Sequence, residues 1–348
     1  MTEAAVRDAF AQQAKWNDRL GSPFMAALCG GLAEALNRDT ATGRRLLDWP
    51  GDPNAAAITM RITGGLNALV RRGAVPDLAA YYPPHPTPDP ATLAAAAMAA
   101  IAAHDEFLHG WLDSPPQTNE VMRSAVLMPG LLTVAAETGL PLRLRELGAS
   151  GGLNLRLDSY RYDLGGLDLG PADATVQIVP EWEGPPPPAA HIRVIDRRGV
   201  DIQPLDIRDP AVRERLLAFV WPDQTARVSR LAAALTAAAA DPPPLDQGDA
   251  AEWTEANVAP AEGTATVVFH SIAHQYFPQT TKDRLAAHMA AAGARATTAA
   301  PLAWLRFELD DAQALGPPPT LRLKLWPGGE DRLLAHVHPH GAKVRWLG

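Results

Sequence analysis

The 348-residue chain has one cysteine, Cys29, which excludes an internal disulfide and any cysteine-built zinc or iron–sulfur centre, and suits a reducing compartment. Lysine is nearly as scarce, confined to Lys15, Lys282, Lys324 and Lys343. With 31 basic residues against 39 acidic ones, the net charge of -8 argues against broad contact with nucleic-acid backbone, and no bulk nucleic-acid binding is expected. Aromatic residues make up only 6%, and tryptophans such as Trp16, Trp49, Trp182, Trp221 and Trp304 read as core rather than as a platform for stacked bases. Long apolar runs are missing. The longest, Ala91 to Ala103, is mostly alanine and falls short of the roughly 18 residues of a membrane span. The first residues, Met1 to Asp8, carry acids where a secretory signal carries basic residues, so a soluble cytoplasmic protein is expected. No repeat of about 20–50 residues is visible, which excludes solenoids and propellers.

What remains is ordinary globular material, 47% hydrophobic and 20% charged, long enough for two domains. From Glu3 to about Thr138 apolar residues recur at helical spacing and predict an all-helical N-terminal domain, residues 1–138, of five or six helices. Its segments are separated by Gly21-Ser22-Pro23, by Trp49 to Pro53 and by the proline-rich stretch Tyr82 to Pro90. Ala57 to Thr63, though β-branched in part, is read as helix. Near Pro141 the pattern changes to alternation over Leu142 to Leu147, broken by Gly148-Ala149-Ser150-Gly151-Gly152. Further strands are expected at Thr175–Val179, Ile192–Ile195, Thr264–Phe269, Arg295–Glu308, Thr320–Trp326, Arg332–His338 and Ala342–Trp346. Helices are expected at Pro210–Ala240 and Pro278–Ala292. This alternation predicts a second domain, residues 139–348, of α/β class: a mostly parallel sheet with helices on both faces.

The glycine turn is the most informative feature. A strand ending in Glu146 and opening into Gly-x-x-Gly-Gly lets a ligand approach backbone near a helix start. Gly148 suits the tight turn and Gly152 a close approach, while Asn154 can bond a ligand or cap the next helix. Three later features fall where an open α/β sheet presents its crevice. Asp201 lies just past a strand, Asp249-Ala250 follows another short segment, and His270-Ser271 ends a buried strand. Taken singly, Asp201 and Asp249 also fit turn or cap positions. The segment Gln117-Thr118-Asn119-Glu120-Val121-Met122-Arg123 reads as a helix start. Its polar residues serve either as caps or to cover the crevice, with Arg123 meeting a carboxylate.

This order resembles the class I S-adenosylmethionine-dependent methyltransferases, whose first motif is an acid followed by a glycine-rich turn. The resemblance implies a Rossmann-like sheet and S-adenosylmethionine as cofactor. Glu146 and Gly148 to Gly152, Ala149 and Ser150 included, would hold its methionine part together with Asn154. Asp201 would hold the ribose, Asp249 and Ala250 the adenine, and Ser271 would stand at the post-strand position. His270, Tyr276 or Glu120 would act as base, with Gln117, Asn119 and Arg123 toward a small-molecule or protein acceptor. The cleft would lie between the two domains. Two departures stand out: Ser150 replaces the usual middle glycine, and Asp201 follows Glu146 at more than twice the usual distance. Either Tyr162 to Pro188 is an insertion, or Glu181 is the ribose acid; Asp201 is preferred. More closely, nearly the whole chain resembles a bacterial family of unknown function, family twenty-three thirty-two. The matching stretches are Pro116 to Glu120, Glu146 to Ser150, Tyr160 to Tyr162, Arg198 to Asp201, Val220 to Gln224, Pro301 to Trp304 and Val337 to Gly341.

The same turn also satisfies Gly-x-Ser-x-Gly, the hydrolase elbow. On that reading Ser150 attacks, Asp249 orients and His338 or His340 is the base, although a hydrolase places strands ahead of its elbow where this chain has helices. A third reading is a non-catalytic nucleotide-binding protein. His104, Asp105, Glu106 and His109 lack zinc-protease spacing, and Pro339 interrupts the alternation of His336, His338 and His340, so no metal is proposed.

Overall fold

The computed structural model describes residues 2–309 and 318–348. Its α-helices are α1 (Glu3–Arg19), α2 (Pro23–Ala35), α3 (Ala41–Leu47), α4 (Ile58–Arg71), α5 (Pro76–Ala79), α6 (Pro90–Ala103), α7 (Asp105–Trp111), α8 (Ser124–Thr138), α9 (Pro210–Ala218), α10 (Thr225–Ala240), α11 (Ala250–Asn257) and α12 (Gln279–Gly293). The chain forms two compact units, Met1–Thr118 with Pro210–Ser229, and Asn119–Asp209 with Arg230–Gly348. The second unit thus begins before the boundary expected at residue 139, and a later segment belongs with the first.

The first unit is helical. Asp89 accepts the N–H groups of Ala91 and Thr92 at the start of α6, and Pro90 stands at the first position, where its missing N–H leaves no intrahelical bond unmade. Phe10, Phe24, Leu28, Leu32, Ile58, Ile62 and Leu66 are fully buried in its core. Asn67 of α4 donates to the carbonyls of Ala218 and Val220, and so ties the Pro210–Ser229 segment to this unit. Eight α-helices precede residue 139 rather than five or six, because α5 and α7 are too short to register as separate periodic segments. The single helix expected over Pro210–Ala240 is two. The break lies at Trp221-Pro222, since proline removes a helical N–H and disfavours helical backbone in the residue before it.

The second unit holds a large, mostly parallel sheet. Its strands are β1 (Leu142–Leu147), β2 (Arg161–Leu164), β3 (Leu167–Leu169), β4 (Gln177–Ile178), β5 (Glu181–Glu183), β6 (Val194–Asp201), β7 (Leu245–Gln247), β8 (Ala265–Ser271), β9 (Leu302–Glu308), β10 (Thr320–Trp326), β11 (Asp331–Val337) and β12 (Lys343–Trp346). Nine of them lie in the order β5-β12-β11-β10-β9-β8-β1-β6-β7, and β3-β2-β4 form a separate small sheet. The run β7-β6-β1-β8-β9 is parallel throughout. From β1 the chain winds outward to β6 and β7, then returns to the other side of β1 for β8 and β9. Winding therefore reverses between β1 and β8, and at such a point the connecting loops diverge and leave a crevice at the carboxyl ends.

Alternation along β9 shows how both faces are covered. Leu305 fills the space above Gly130 of α8, while Trp304 packs with residues of α11 and α12 such as Trp253 and Leu285. β6 is longer than the expected Ile192–Ile195 because Asp196, Arg197 and Arg198 mask a strand that is partly exposed. β9 starts later than expected, after a turn closed by paired Thr297 and Ala300 and followed by Pro301. No single described helix is long and apolar enough to cross a membrane. Because Leu144 is fully buried at the centre of the parallel run, Leu144→Ala should cost about 2–5 kcal/mol in urea unfolding. Ile202→Ala, at a side chain 77% exposed, should stay within about 0.5 kcal/mol.

Candidate ligand site at the carboxyl ends of β1, β6 and β8

The glycine turn folds as it does because its backbone enters the left-handed region three times, at Gly148 (φ 70°), Ser150 (φ 54°) and Gly152 (φ 73°). For serine this conformation is disfavoured, and Asp201 at the end of β6 holds it in place. Asp201 Oδ2 accepts the Ser150 N–H at 2.8 Å, and Oδ1 accepts the Gln203 N–H at 2.9 Å. The Val200 carbonyl takes the N–H groups of Gly148 and Ala149, and the Ser150 carbonyl takes that of Leu205. Turn and strand end are thereby knitted together.

A second segment closes on the turn from residues 119–123. Asn119 Oδ1 accepts the Leu153 N–H at 3.0 Å, at the start of the 3-10 helix Leu153–Ser159. Asn154 Nδ2 reaches the Glu120 carbonyl at 3.5 Å. Glu120 Oε1 accepts the Met122 N–H, capping the 3-10 turn Val121–Arg123. Arg123 donates from Nη1 to the Ser271 carbonyl at 2.9 Å and from Nε to the Pro339 carbonyl at 3.3 Å, so it spans the end of β8 and the loop after β11. The structure thus brings Asn119, Glu120, Arg123, Glu146, Ser150, Asn154, Asp201 and Ser271 to one corner. Gln117 belongs to the first unit.

Glu146 is the centre of this corner. Leu147 faces the α11–α12 layer, so Glu146 faces the opposite side, where it is 2% exposed. Burial pushes its carboxyl well above the usual range and Asp201 adds to this, while Arg123 and the Leu155 N–H oppose it. Among the described residues, Glu146 Oε2, Ser150 Oγ and Asn154 Oδ1 are buried with no hydrogen-bond partner. Buried polar atoms are rarely left so, and three on a single turn mark a place suited to a polar ligand. Beside Gly151 a cleft of about 360 Å³ opens between Pro204–Arg208 and Pro242–Leu245.

The end of β8 is built differently. Ile272 has φ 50°, strained for a β-branched residue, and Glu308 at the end of β9 holds the turn that follows. Glu308 Oε1 accepts the N–H groups of Ala273 at 3.1 Å and His274 at 3.2 Å, and His270 Nδ1 lies 2.6 Å from the same oxygen. The indole N–H of Trp304, which can only donate, meets His270 Nε2 at 3.1 Å. Both ring nitrogens of His270 are therefore engaged, Nε2 by Trp304 and Nδ1 by Glu308. Burial would raise the Glu308 carboxyl, but His270 and the two backbone donors hold it below its ordinary value. His274 stacks on His270 at 5.3 Å; burial above all, then His270, lowers its imidazole to about 4.

Several expected roles do not survive this geometry. His270 is 1% exposed with both ring nitrogens engaged, so it cannot serve as a general base. Tyr276 is 79% exposed on the 3-10 turn His274–Tyr276. Asp249 caps α11, its Oδ1 taken by the N–H groups of Ala251 and Glu252 and its Oδ2 by the Thr281 hydroxyl, which leaves it poorly placed to hold adenine with Ala250. The space a side chain at Gly152 would need is filled by Pro243, so this glycine accommodates protein rather than ligand. Glu181 lies on the far edge strand, paired with Lys343. The hydrolase set is not assembled: both carboxyl oxygens of Asp249 are taken by the start of α11 and by Thr281, so it does not orient a histidine. Among the described residues, no group of three or more His, Cys, Asp or Glu could hold a metal ion. Sequence reasoning missed Glu308, Trp304 as a donor, and Ile272. Only the first left a signal, an acid ending a strand.

The fold and this corner define a mixed α/β protein with a buried polar turn where its mostly parallel sheet reverses. The chain belongs to the family described as "Uncharacterized protein conserved in bacteria (DUF2332)", matched over residues 7–346. No curated protein and no solved structure matches it.

Replacing Glu308 tests the clamp at β8. Glu308→Ala leaves the His270, Ala273 and His274 donors unpaired and should destabilise by about 1–3 kcal/mol. Because the folded-state value is lowered, the ionic share of this stabilisation is present above the ordinary value of 4.5 and lost as pH falls through the lower folded value. Urea titrations across acidic pH should show the wild-type advantage over Glu308→Gln shrinking in that window.

Proposed function

We propose that the chain binds S-adenosylmethionine at the corner of β1, β6 and β8 and transfers its methyl group to a small-molecule or protein acceptor. The single observation that carries this reading is the buried glycine turn with its three unpartnered oxygens, at the point where the sheet reverses. Support also comes from the chain order of the parallel strands, third-second-first-fourth-fifth, which is Rossmann-like. An acid, Asp201, ends the strand next to β1.

The residues fit an adenosyl amino acid in part. Glu146, Ser150 and Asn154 offer unmet oxygens to its amino-acid portion. Asp201 gives one oxygen to each of two backbone N–H groups, and each oxygen retains a lone pair for a ribose hydroxyl. The prolines and Leu205 beside Gly151 supply an apolar wall. Asp249 contributes nothing to this fit. When bound, the cofactor supplies a methyl group on a positively charged sulfur. The chain's own work is then to orient two reactants and keep the corner dry, which is the larger share of such a reaction. With His270 engaged in the β8 clamp, Glu120 is the candidate base that remains in the corner, for acceptors that must lose a proton.

Calorimetric titration with S-adenosylmethionine and S-adenosylhomocysteine tests the reading. Binding with a micromolar constant, about −8 kcal/mol, should occur in the wild type and be lost in Asp201→Ala. Near-ultraviolet circular dichroism should show the variant still folded. Absence of heat and of any thermal shift with both ligands would overturn the proposal.

A further inference from the structure

We propose that the helical unit carries a binding site for a phosphate dianion, formed by the guanidinium groups of Arg61 on α4 and Arg215 on α9 with the indole N–H of Trp111 at the end of α7. This is a second site, and it does not rest on the cofactor reading.

The argument begins from the turn at residues 112–114, which three arginines grasp. Arg61 donates from Nη1 to the Leu112 carbonyl at 2.8 Å, and Arg215 donates from Nη2 to the Ser114 carbonyl at 3.2 Å. Arg45 of α3 pairs with the Asp113 carboxylate between them at 2.8 Å. Each cation also lies against a ring. Arg45 and Arg61 stand 5.6 and 5.3 Å from the centre of Trp49, and Arg215 stands 4.2 Å from that of Trp111. These contacts fix three half-buried guanidiniums around one turn of chain.

Charge is left over. Three guanidiniums meet one carboxylate at this turn, and that carboxylate is 69% exposed. Burial lowers the Arg61 guanidinium first, Arg45 lowers it further, and Asp113 opposes them. Burial likewise lowers Arg215, and Arg61 adds to it with no acid in opposition. Cations so withdrawn from water are ordinarily paired.

Donors are left over as well. Arg61 spends Nε on the Ala56 carbonyl and Nη1 on that of Leu112, while Arg215 spends only Nη2. Among the described residues, nothing accepts from Nη2 of Arg61 or from Nε and Nη1 of Arg215. Trp111 Nε1 is buried and has no hydrogen-bond partner, in a side chain only 8% exposed. Because Arg215 lies over the Trp111 ring, this N–H stands close to its guanidinium. Guanidinium and indole N–H groups only donate, so their ligand must be rich in acceptors. Two uncompensated cations call for a double negative charge, and the planar fork of arginine bonds two oxygens of a phosphoryl group at once. Arg71, one turn of chain away on α4, shows the contrast: Glu214 already pairs with it at 3.2 Å.

The experiment is nuclear magnetic resonance on the full chain slightly above neutral pH, following the Trp111 indole N–H and the Arg215 Nε–H. Inorganic phosphate, glycerol 3-phosphate and acetate are titrated at constant ionic strength, with chloride as the balancing ion. Both resonances should shift saturably with the two phosphates and not with acetate or chloride. Equal affinity for the two phosphates would assign free phosphate as sufficient, and tighter binding of the ester would assign a phosphorylated small molecule. Arg61→Gln and Arg215→Gln should each bind phosphate about tenfold more weakly, and Arg71→Gln should bind as the wild type does. Near-ultraviolet circular dichroism checks that each variant is folded. Where a glutamine variant does not fold, Arg215→Lys replaces it, keeping the charge and losing the fork, and should also bind more weakly. No saturable shift at Trp111 with either phosphate, an equal shift with acetate, or undiminished affinity in the folded variants of Arg61 and Arg215 would each overturn the proposal.

Discussion

Two carboxylates hold the two strained turns on which the rest of the corner depends. Asp201 bonds the Ser150 N–H beyond β1, and Glu308 bonds the Ala273 and His274 N–H groups beyond β8. Each turn carries a residue other than glycine at positive φ, Ser150 in one and Ile272 in the other. Such conformations cost on the order of 1–3 kcal/mol each and persist only where surrounding bonds over-determine them. The two turns also meet: the space a side chain at Gly148 would need is taken by the Ala273 methyl group. The reversal of winding thus becomes a defined surface, with acids from the strands on either side of it fixing the backbone.

The two clamps differ in what they leave open. At β8 the hydrogen bonding closes on itself: Trp304 donates to His270, His270 donates to Glu308, and Glu308 accepts two further N–H groups. This is a structural brace. At β1 the turn's backbone is well bonded, yet Glu146, Ser150 and Asn154 keep oxygens with nothing to meet them. Leaving a buried acceptor unmet costs about 1–3 kcal/mol. A cluster of them next to a well-bonded framework is what a ligand-binding turn requires.

Much of this architecture was legible in the sequence, for identifiable reasons. β1 and β10 sit where alternation put them, because leucines recur at every second position over most of each strand, Leu142 and Leu144 in one and Leu321, Leu323 and Leu325 in the other. β6 was misjudged since Asp196, Arg197 and Arg198 serve ion pairs along a half-exposed strand and hide its period. The helical break at Pro222 was overlooked in an alanine-rich stretch whose periodicity resumes on the far side. In the corner, the acid and glycine turn of β1 and the acid of β6 could be read from their order. The dismissal of His270 and Asp249 could not. Whether a histidine or an aspartate is free depends on partners distant in sequence, Trp304 and Glu308 for one, Thr281 for the other. Residue type and spacing carry no record of such saturation.

The central claim, that the turn after β1 is where this protein meets its ligand, is tested most directly by amide hydrogen exchange with and without S-adenosylhomocysteine. Slowed exchange concentrated in residues 146–155 and 199–205, with the 272–274 turn little changed, is the predicted result. Unchanged exchange over the β1 and β6 turns at saturating ligand, or protection confined to another part of the chain, would contradict it.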